Sequence, residues 1–187
     1  VWDALIQRRQ DLVFFANADA IRVNPKFQDV IIPIEWVAGK RSPAKTRETL
    51  KRASEAFEAE KCVVIFPSGK LAKKIGGVLT EQAWFSTVVG LARKQGAPIV
   101  PLHVGAENSK LFYRLSQING ELRDITLFHE LLNKSGAAFD LTFGKPIATH
   151  ELMGEPAAVT DALKQHVAKT LAEDPNAEFA GPAPKTT

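Results

Sequence analysis

The chain has 187 residues, 45% hydrophobic and 24% charged, with a formal net charge of +3. That size and composition fit one ordinary globular domain and exclude a disordered chain or a fibrous repeat. A single cysteine, Cys62, leaves no disulfide framework or thiolate cluster for zinc, and no apolar run approaches the ~20 residues of a bilayer-spanning helix.

VWDALIQRR places apolar residues at 1, 2, 5 and 6, a helical spacing, and LVFFA (12–16) follows as a short buried strand. NADAIRV (17–23) reads as a short helix capped by Asn17 and broken before Pro25. VIIPIEW (30–36) predicts a second strand, in which Pro33 marks an edge or a strand end. Pro43 opens a long amphipathic helix over about 44–60, and CVVIF (62–66) is a third, fully apolar strand. KLAKKIGG (70–77) reads as a Lys- and Gly-rich loop. Residues 81–95 predict a helix capped by Thr80 and stopped by Gly96.

APIVPLHV (97–104) is the fourth expected strand. Strands alternating with helices indicate βαβ units and a mainly parallel or mixed central sheet flanked by helices on both faces, an order that runs at least to residue 104. Residues 124–136 predict a helix from a capping Asp124 to Gly136, and AFDLTFGKPI (138–147) alternates as a strand with Phe139, Leu141 and Phe143 on one face. A last helix covers about 156–173. The expected organisation is therefore an α/β fold, one domain over 1–173 and a flexible tail over 174–187.

Charge is unevenly placed. Lys40, Arg41, Lys45, Arg47, Lys51 and Arg52 crowd one stretch and Lys70, Lys73 and Lys74 follow, whereas Glu151, Glu155, Asp161, Glu173, Asp174 and Glu178 make the C-terminal part acidic. A basic end suits phosphate, an anionic membrane or an acidic carrier; a solvated helix face explains the 45–52 stretch as well. Trp2, Trp36, Trp84 and Phe85 are candidate interfacial anchors, though Trp84 and Phe85 in a helix fit a core equally.

Several chemistries find no motif. Walker A requires glycine where Val64 stands and Ser or Thr where Leu71 stands. There is no G-x-G-x-x-G, no H-E-x-x-H and no G-x-S-x-G around Ser68, so nothing points to a nucleotide cofactor, a metal or a serine hydrolase. His103 ends a strand and is the only histidine near that sheet edge. His129, His150 and His166 read as structural.

What remains is the corner Phe66-Pro67-Ser68-Gly69-Lys70. In open parallel sheets ligands bind beyond the carboxyl ends of the strands. Pro67 stops the ladder, Ser68 offers a hydroxyl, Gly69 permits close approach or a positive φ, and Lys70 offers a compact charge for phosphate. An ordinary strand-to-loop turn with a solvated lysine is the plain alternative.

VVIFPSGK (63–70), GAPIVPLHV (96–104), NSKLFYRLSQ, LRDITLFHELLNKSG and LTFGKPI, in this order, resemble the glycerolipid acyltransferase family that includes the 1-acylglycerol-3-phosphate acyltransferases. The likeness covers roughly residues 1–147 and is greatest to the bacterial hemolysin-like, ornithine-lipid branch, whose corner reads Phe-Pro-Ala/Ser-Gly. It implies a glycerol-3-phosphate acyltransferase-like fold. It further implies transfer of a fatty acyl group from acyl carrier protein or coenzyme A to the hydroxyl of a lysolipid, with no cofactor and no nucleic acid. Phe66, Pro67, Ser68, Gly69, Lys70 and Pro101 then become substrate-binding residues, and the protein is expected in the cytoplasm, peripheral on the inner face of an anionic membrane.

Three features depart from that family. Its general base is the His of a His-x4-Asp motif, whereas the residues five positions after the four histidines are Asn108, Lys134, Glu155 and Leu171. The chain opens at Val1, without an initiator Met or a signal-peptide pattern, so the expectation is a fragment whose motif lies upstream; the alternative is a non-catalytic lipid- or carrier-binding homologue. Ser68 stands where the better-known enzymes have Glu, and VIIPIEW lacks their phosphate-binding arginine, for which Lys70, Lys40 or Arg41 could substitute. A lysolipid with another head group, such as lyso-ornithine lipid, is thus an open acceptor, and a soluble phosphate ligand on Lys70 is a further reading.

Overall fold

A computed structural model of the chain describes residues 1–35, 39 and 42–182. Contacts group them into two compact units, one made of 1–66 with 91–97, the other of 67–90 with the residues from 98 onward.

In the first unit β1 (Leu12–Asn17) is the centre of a parallel sheet ordered β2-β1-β3, with β2 (Ile31–Ile34) and β3 (Cys62–Val64) at its edges. The α/β class expected from the sequence is what forms. Register puts Phe15 beside Ile32 and Val13 beside Val63, so these four side chains share a face. α3 (Pro43–Glu58) covers that face with Ala53 and Ala56, whose small side chains let helix and sheet approach closely. On the opposite face Trp2, from the short α1 (Trp2–Ile6), sets its ring 5.7 Å from that of Phe14. Pro33 sits on the edge strand β2, as expected of a residue without an N–H.

Local chemistry fixes the ends of these elements. Ser42 accepts a hydrogen bond from the Lys45 N–H at 3.3 Å and Pro43 occupies the first turn, which together start α3. α2 (Asp19–Val23) begins two residues after Asn17, whose side chain accepts from the Asp19 N–H at 3.0 Å; the cap position itself is Ala18. The basic stretch of α3 is largely paired, Arg52 with Glu48 at 2.9 Å, Lys51 with Glu55 at 3.7 Å and Lys45 with Glu35 at 2.9 Å. Trp36, Lys40 and Arg41 lie outside the described residues.

The second unit departs more from expectation. The segment read as a loop is an antiparallel hairpin, β4 (Lys73–Ile75) and β5 (Val78–Thr80), turned by Gly76 and Gly77 at φ 57° and 84°. Two consecutive positive-φ residues are what a tight two-residue hairpin turn demands. Thr80 therefore closes a strand instead of capping a helix, and α4 (Thr87–Gln95) starts later than expected. Trp84 and Phe85 fall before it. The Trp84 indole donates to the Glu81 carboxylate at 2.8 Å, and the Phe85 N–H donates to the Pro67 carbonyl at 3.1 Å, which commits this backbone away from a helix. Gly96, at φ 63°, does end α4.

The parallel order also stops at β3, short of residue 104. β6 (Leu102–Gly105) pairs antiparallel with β7 (Asp140–Phe143), and Pro101, which has no N–H, separates β6 from a further bridge between Ile99 and Ile147. Phe139 is exposed and outside β7, so only Leu141 and Phe143 keep the expected alternation. An unexpected helix, α5 (Lys110–Ile118), begins at Ser109 and packs on α6 (Gly120–Asn133), which starts ahead of Asp124. The expected Asp124 cap lies outside the described side chains.

The final helix runs as α7 (Pro156–Gln165), a wide π-helical turn at His166–Thr170 and a last turn, α8 (Leu171–Glu173) that packs on β6 and β7. Beyond it Phe179 meets His166 edge-on at 5.7 Å, and Glu178 pairs with Lys145 at 2.9 Å. No helix among the described residues is long and apolar enough to cross a membrane.

Candidate functional site

The corner follows directly from the end of a strand. β3 closes at Val64, and Phe66 is already 54% exposed, so the apolar run leaves the sheet earlier than CVVIF implied. Pro67 ends backbone pairing through its own nitrogen, yet its carbonyl accepts from Phe85.

Ser68 reverses the expected direction of its hydroxyl. It is only 5% exposed, donates to the Lys70 carbonyl at 2.9 Å and accepts from the Lys70 N–H at 3.3 Å. The side chain thus closes its own turn, which is why a short hydroxyl fits where a longer carboxylate would have to leave. Gly69 sits in the middle of that turn at φ 58°, a conformation an L side chain adopts only at a cost. The result is an ammonium projected by a rigid turn: Lys70 is exposed and has no ion-pair partner among the described residues.

Pro101 is placed differently. Its carbonyl accepts from the Gly144 N–H at 2.9 Å, and its ring packs where Gly144 and the buried Leu171 converge. The structure gives it a packing role at the β6–β7 end.

Among the described residues none of the four histidines has the partner a general base needs. His103 Nδ1 lies 2.9 Å from the Val167 carbonyl oxygen, and His166 is buried against Phe179, where burial lowers its pKa and favours the neutral ring. His129 Nδ1 lies 3.6 Å from Glu130, a carboxylate already committed elsewhere. His150 is exposed in a short helical turn. No group of His, Cys, Asp or Glu among the described residues could hold a metal ion.

Glu130 is the polar feature that sequence reading missed. Buried in α6, it accepts from the Ser109 N–H and the Lys134 ammonium, both at 2.7 Å, and from the Ser109 hydroxyl. Burial pushes its pKa up, but the bonds from Lys134 and Ser109 outweigh that and hold it at about 2. It ties the start of α5 to α6 and is a brace. The signal available in the sequence was Ser109 ahead of the apolar helix 110–118.

Comparison with known proteins fits this arrangement. An acyltransferase family model matches residues 1–170. The lyso-glycine lipid O-acyltransferase of Phocaeicola vulgatus is 27% identical over 113 residues, 57% of this chain and 40% of that protein. The protein of the same name from Bacteroides thetaiotaomicron is 27% identical over 127 residues, 64% of this chain and 47% of that protein. The chain therefore spans less than half the length of these relatives. No solved structure matches it significantly. The family match runs from α1 into the wide turn after α7 and takes in the corner and every sheet, so the chain belongs to the acyltransferase family.

Proposed function

We propose that this chain carries out, within its whole protein, transfer of a fatty acyl group from a thioester on acyl carrier protein or coenzyme A to the hydroxyl of a lysolipid. The observation that carries this reading is the family match over 1–170. In the reaction the hydroxyl oxygen attacks the thioester carbonyl, the C–S bond breaks, and the thiol leaves with the proton.

The corner 66–70 is the acceptor wall in this proposal. Ser68 and Gly69 hold the turn, and Lys70 meets the head group. An amino-acid head group fits better than glycerol phosphate: two relatives are named for lyso-glycine lipid, and a glycine carboxylate carries one negative charge, which a single ammonium matches. The protein would work at the inner face of an anionic membrane, where soluble thioester donor and lipid acceptor meet.

The test is transfer of labelled acyl chains from each donor to lyso-glycine lipid, lyso-ornithine lipid and lysophosphatidic acid by the protein containing these residues. Transfer to the amino-acid lysolipids is expected to exceed that to lysophosphatidic acid. Lys70→Ala should raise the acceptor KM by about tenfold with little change in kcat, the sign of lost ground-state binding. No transfer to any acceptor from either donor would sink the proposal. A second reading, a lipid- or carrier-binding homologue without activity, is favoured by the lack of a His-x4-Asp pair among the four histidines. It predicts saturable lysolipid binding without product.

A further inference from the structure

The hairpin β4–β5 has two unlike faces. Cross-strand partners and alternate residues share a face, so Lys73, Ile75, Val78 and Thr80 lie on one side and Lys74 and Leu79 on the other. The second side is anchored: the Lys74 ammonium lies 2.9 Å from Glu107 and 4.7 Å from the centre of the Tyr113 ring. The first side is therefore held outward, and its tip is apolar. Ile75 is 61% exposed and Val78 67% exposed, directly opposite each other across Gly76-Gly77.

One exposed isoleucine needs no explanation, but an apolar pair fixed at the tip of a braced hairpin and exposed among the described residues marks a candidate contact surface. Lys73 stands two residues behind Ile75 on the same face, without an ion-pair partner among the described residues. At 3.4 Å per residue that is about 7 Å. An interfacial element buries its apolar side ~5–10 Å into a bilayer while lysines remain at the phosphates, so the spacing fits. Of the nearby acids Glu107 is neutralised by Lys74, while Glu81 keeps its charge and accepts from the Trp84 indole. The basic stretch of α3 is less suited, because its cations are paired along the helix and toward Glu35.

We propose that the β4–β5 hairpin is a membrane-docking element that inserts Ile75 and Val78 into the surface of an anionic bilayer and sets Lys73 against lipid phosphates. An acidic protein partner would engage the lysine but has no need of the apolar tip, which is why lipid is the occupant. The hairpin starts three residues after Lys70, so docking would bring the corner to the lipid surface. Docking itself does not depend on acyl transfer and is read without donor or acceptor.

The test is flotation of the chain with vesicles of mixed phosphatidylglycerol and phosphatidylcholine, against vesicles of phosphatidylcholine alone. Binding is expected to the anionic vesicles. Ile75→Asp with Val78→Asp should lower the partition coefficient by about tenfold or more. Lys73→Gln should lower it by about fivefold at low salt and little at high salt. Val78→Trp should raise it, with an unchanged circular dichroism spectrum and denaturation midpoint showing that the fold is kept. Ile118→Asp, at a site on α5 that is 73% exposed, should leave it unchanged. The proposal is overturned if the double variant floats like the parent, if Ile118→Asp loses as much, or if the chain binds an immobilised acyl carrier protein but no vesicle.

Discussion

The two units are held by different means. In the first, the packed face is wholly apolar: Val13, Phe15, Ile32 and Val63 meet Ala53 and Ala56. In the second, Phe112, Leu152, Val159, Leu163 and Leu171 share the interior with Thr126, Glu130, Thr160 and His166. The buried hydroxyls and carboxylate are each satisfied locally or at a cap: Thr160 and Thr126 donate back to the Pro156 and Arg123 carbonyls of their own helices, Ser68 closes its own turn, and Glu130 accepts from the cap of α5. No buried side-chain polar atom among the described residues lacks a partner. A regular parallel ladder satisfies its own backbone, whereas short helices and separate two-stranded sheets leave ends that side chains must satisfy. The first unit therefore depends on shape and the second on shape plus specific hydrogen bonds.

The largest expected effect tests the packing of the second unit. Phe112 has no exposed surface and meets Tyr113 edge-on at 5.3 Å. Phe112→Ala should destabilise by about 3–5 kcal/mol. Amide exchange should then accelerate in α5 and α6 while β1–β3 keep their protection. Equal loss in β1–β3 would break the distinction between the units.

Acid separates the two modes of stabilisation next. The Glu130 carboxyl is held at about 2 against an ordinary 4.5. A folded-state pKa below the unfolded one contributes stability that is complete above pH 4.5 and disappears as pH falls toward 2. The difference corresponds to roughly 3 kcal/mol. Stability measured by denaturant across that window should fall, and Glu130→Gln should remove most of the slope while lowering stability at neutral pH. An unchanged slope would mean that the brace contributes little.

Space, as opposed to conformation, is the issue at Gly144. A Cβ there would lie 2.9 Å from both Leu171 methyl carbons and from the Pro101 ring, and Leu171 is fully buried. Gly144→Ala should cost about 1–3 kcal/mol by overpacking, seen as a lower denaturation midpoint. Leu171→Ala, costly by itself at a fully buried site, should cost less in the Gly144→Ala background than in the parent, because the new Cβ then fills space that the lost methyls vacate.

The contrast also explains what the sequence could disclose. LVFFA, VIIPIEW and CVVIF announced their strands because an apolar parallel ladder writes itself as apolar runs. Gly76-Gly77 between Ile75 and Val78 was a legible hairpin signal hidden by the lysines around it, and 81–86 looked helical because nothing local reveals the Phe85 to Pro67 bond. The pairing of β6 with β7 and the Ser109–Glu130 brace join residues far apart in sequence, which no local pattern encodes. At the corner, residue types were legible and directions were not: Gly69 has its positive φ and Lys70 its exposure, while the hydroxyl of Ser68 turned inward.

The smallest effect belongs to the first unit, at the exposed start of α3. Ser42 satisfies one N–H at the start of α3 with a 3.3 Å bond, and Pro43 already fixes the first turn. Ser42→Ala should therefore cost about 1 kcal/mol or less, toward the low end for a lost cap. Thermal unfolding checks the size, and exchange at the first turn of α3 checks the place. If the loss instead matched that of Glu130→Gln, the first unit too would depend on specific polar contacts, and the difference in how the two units are held would not stand.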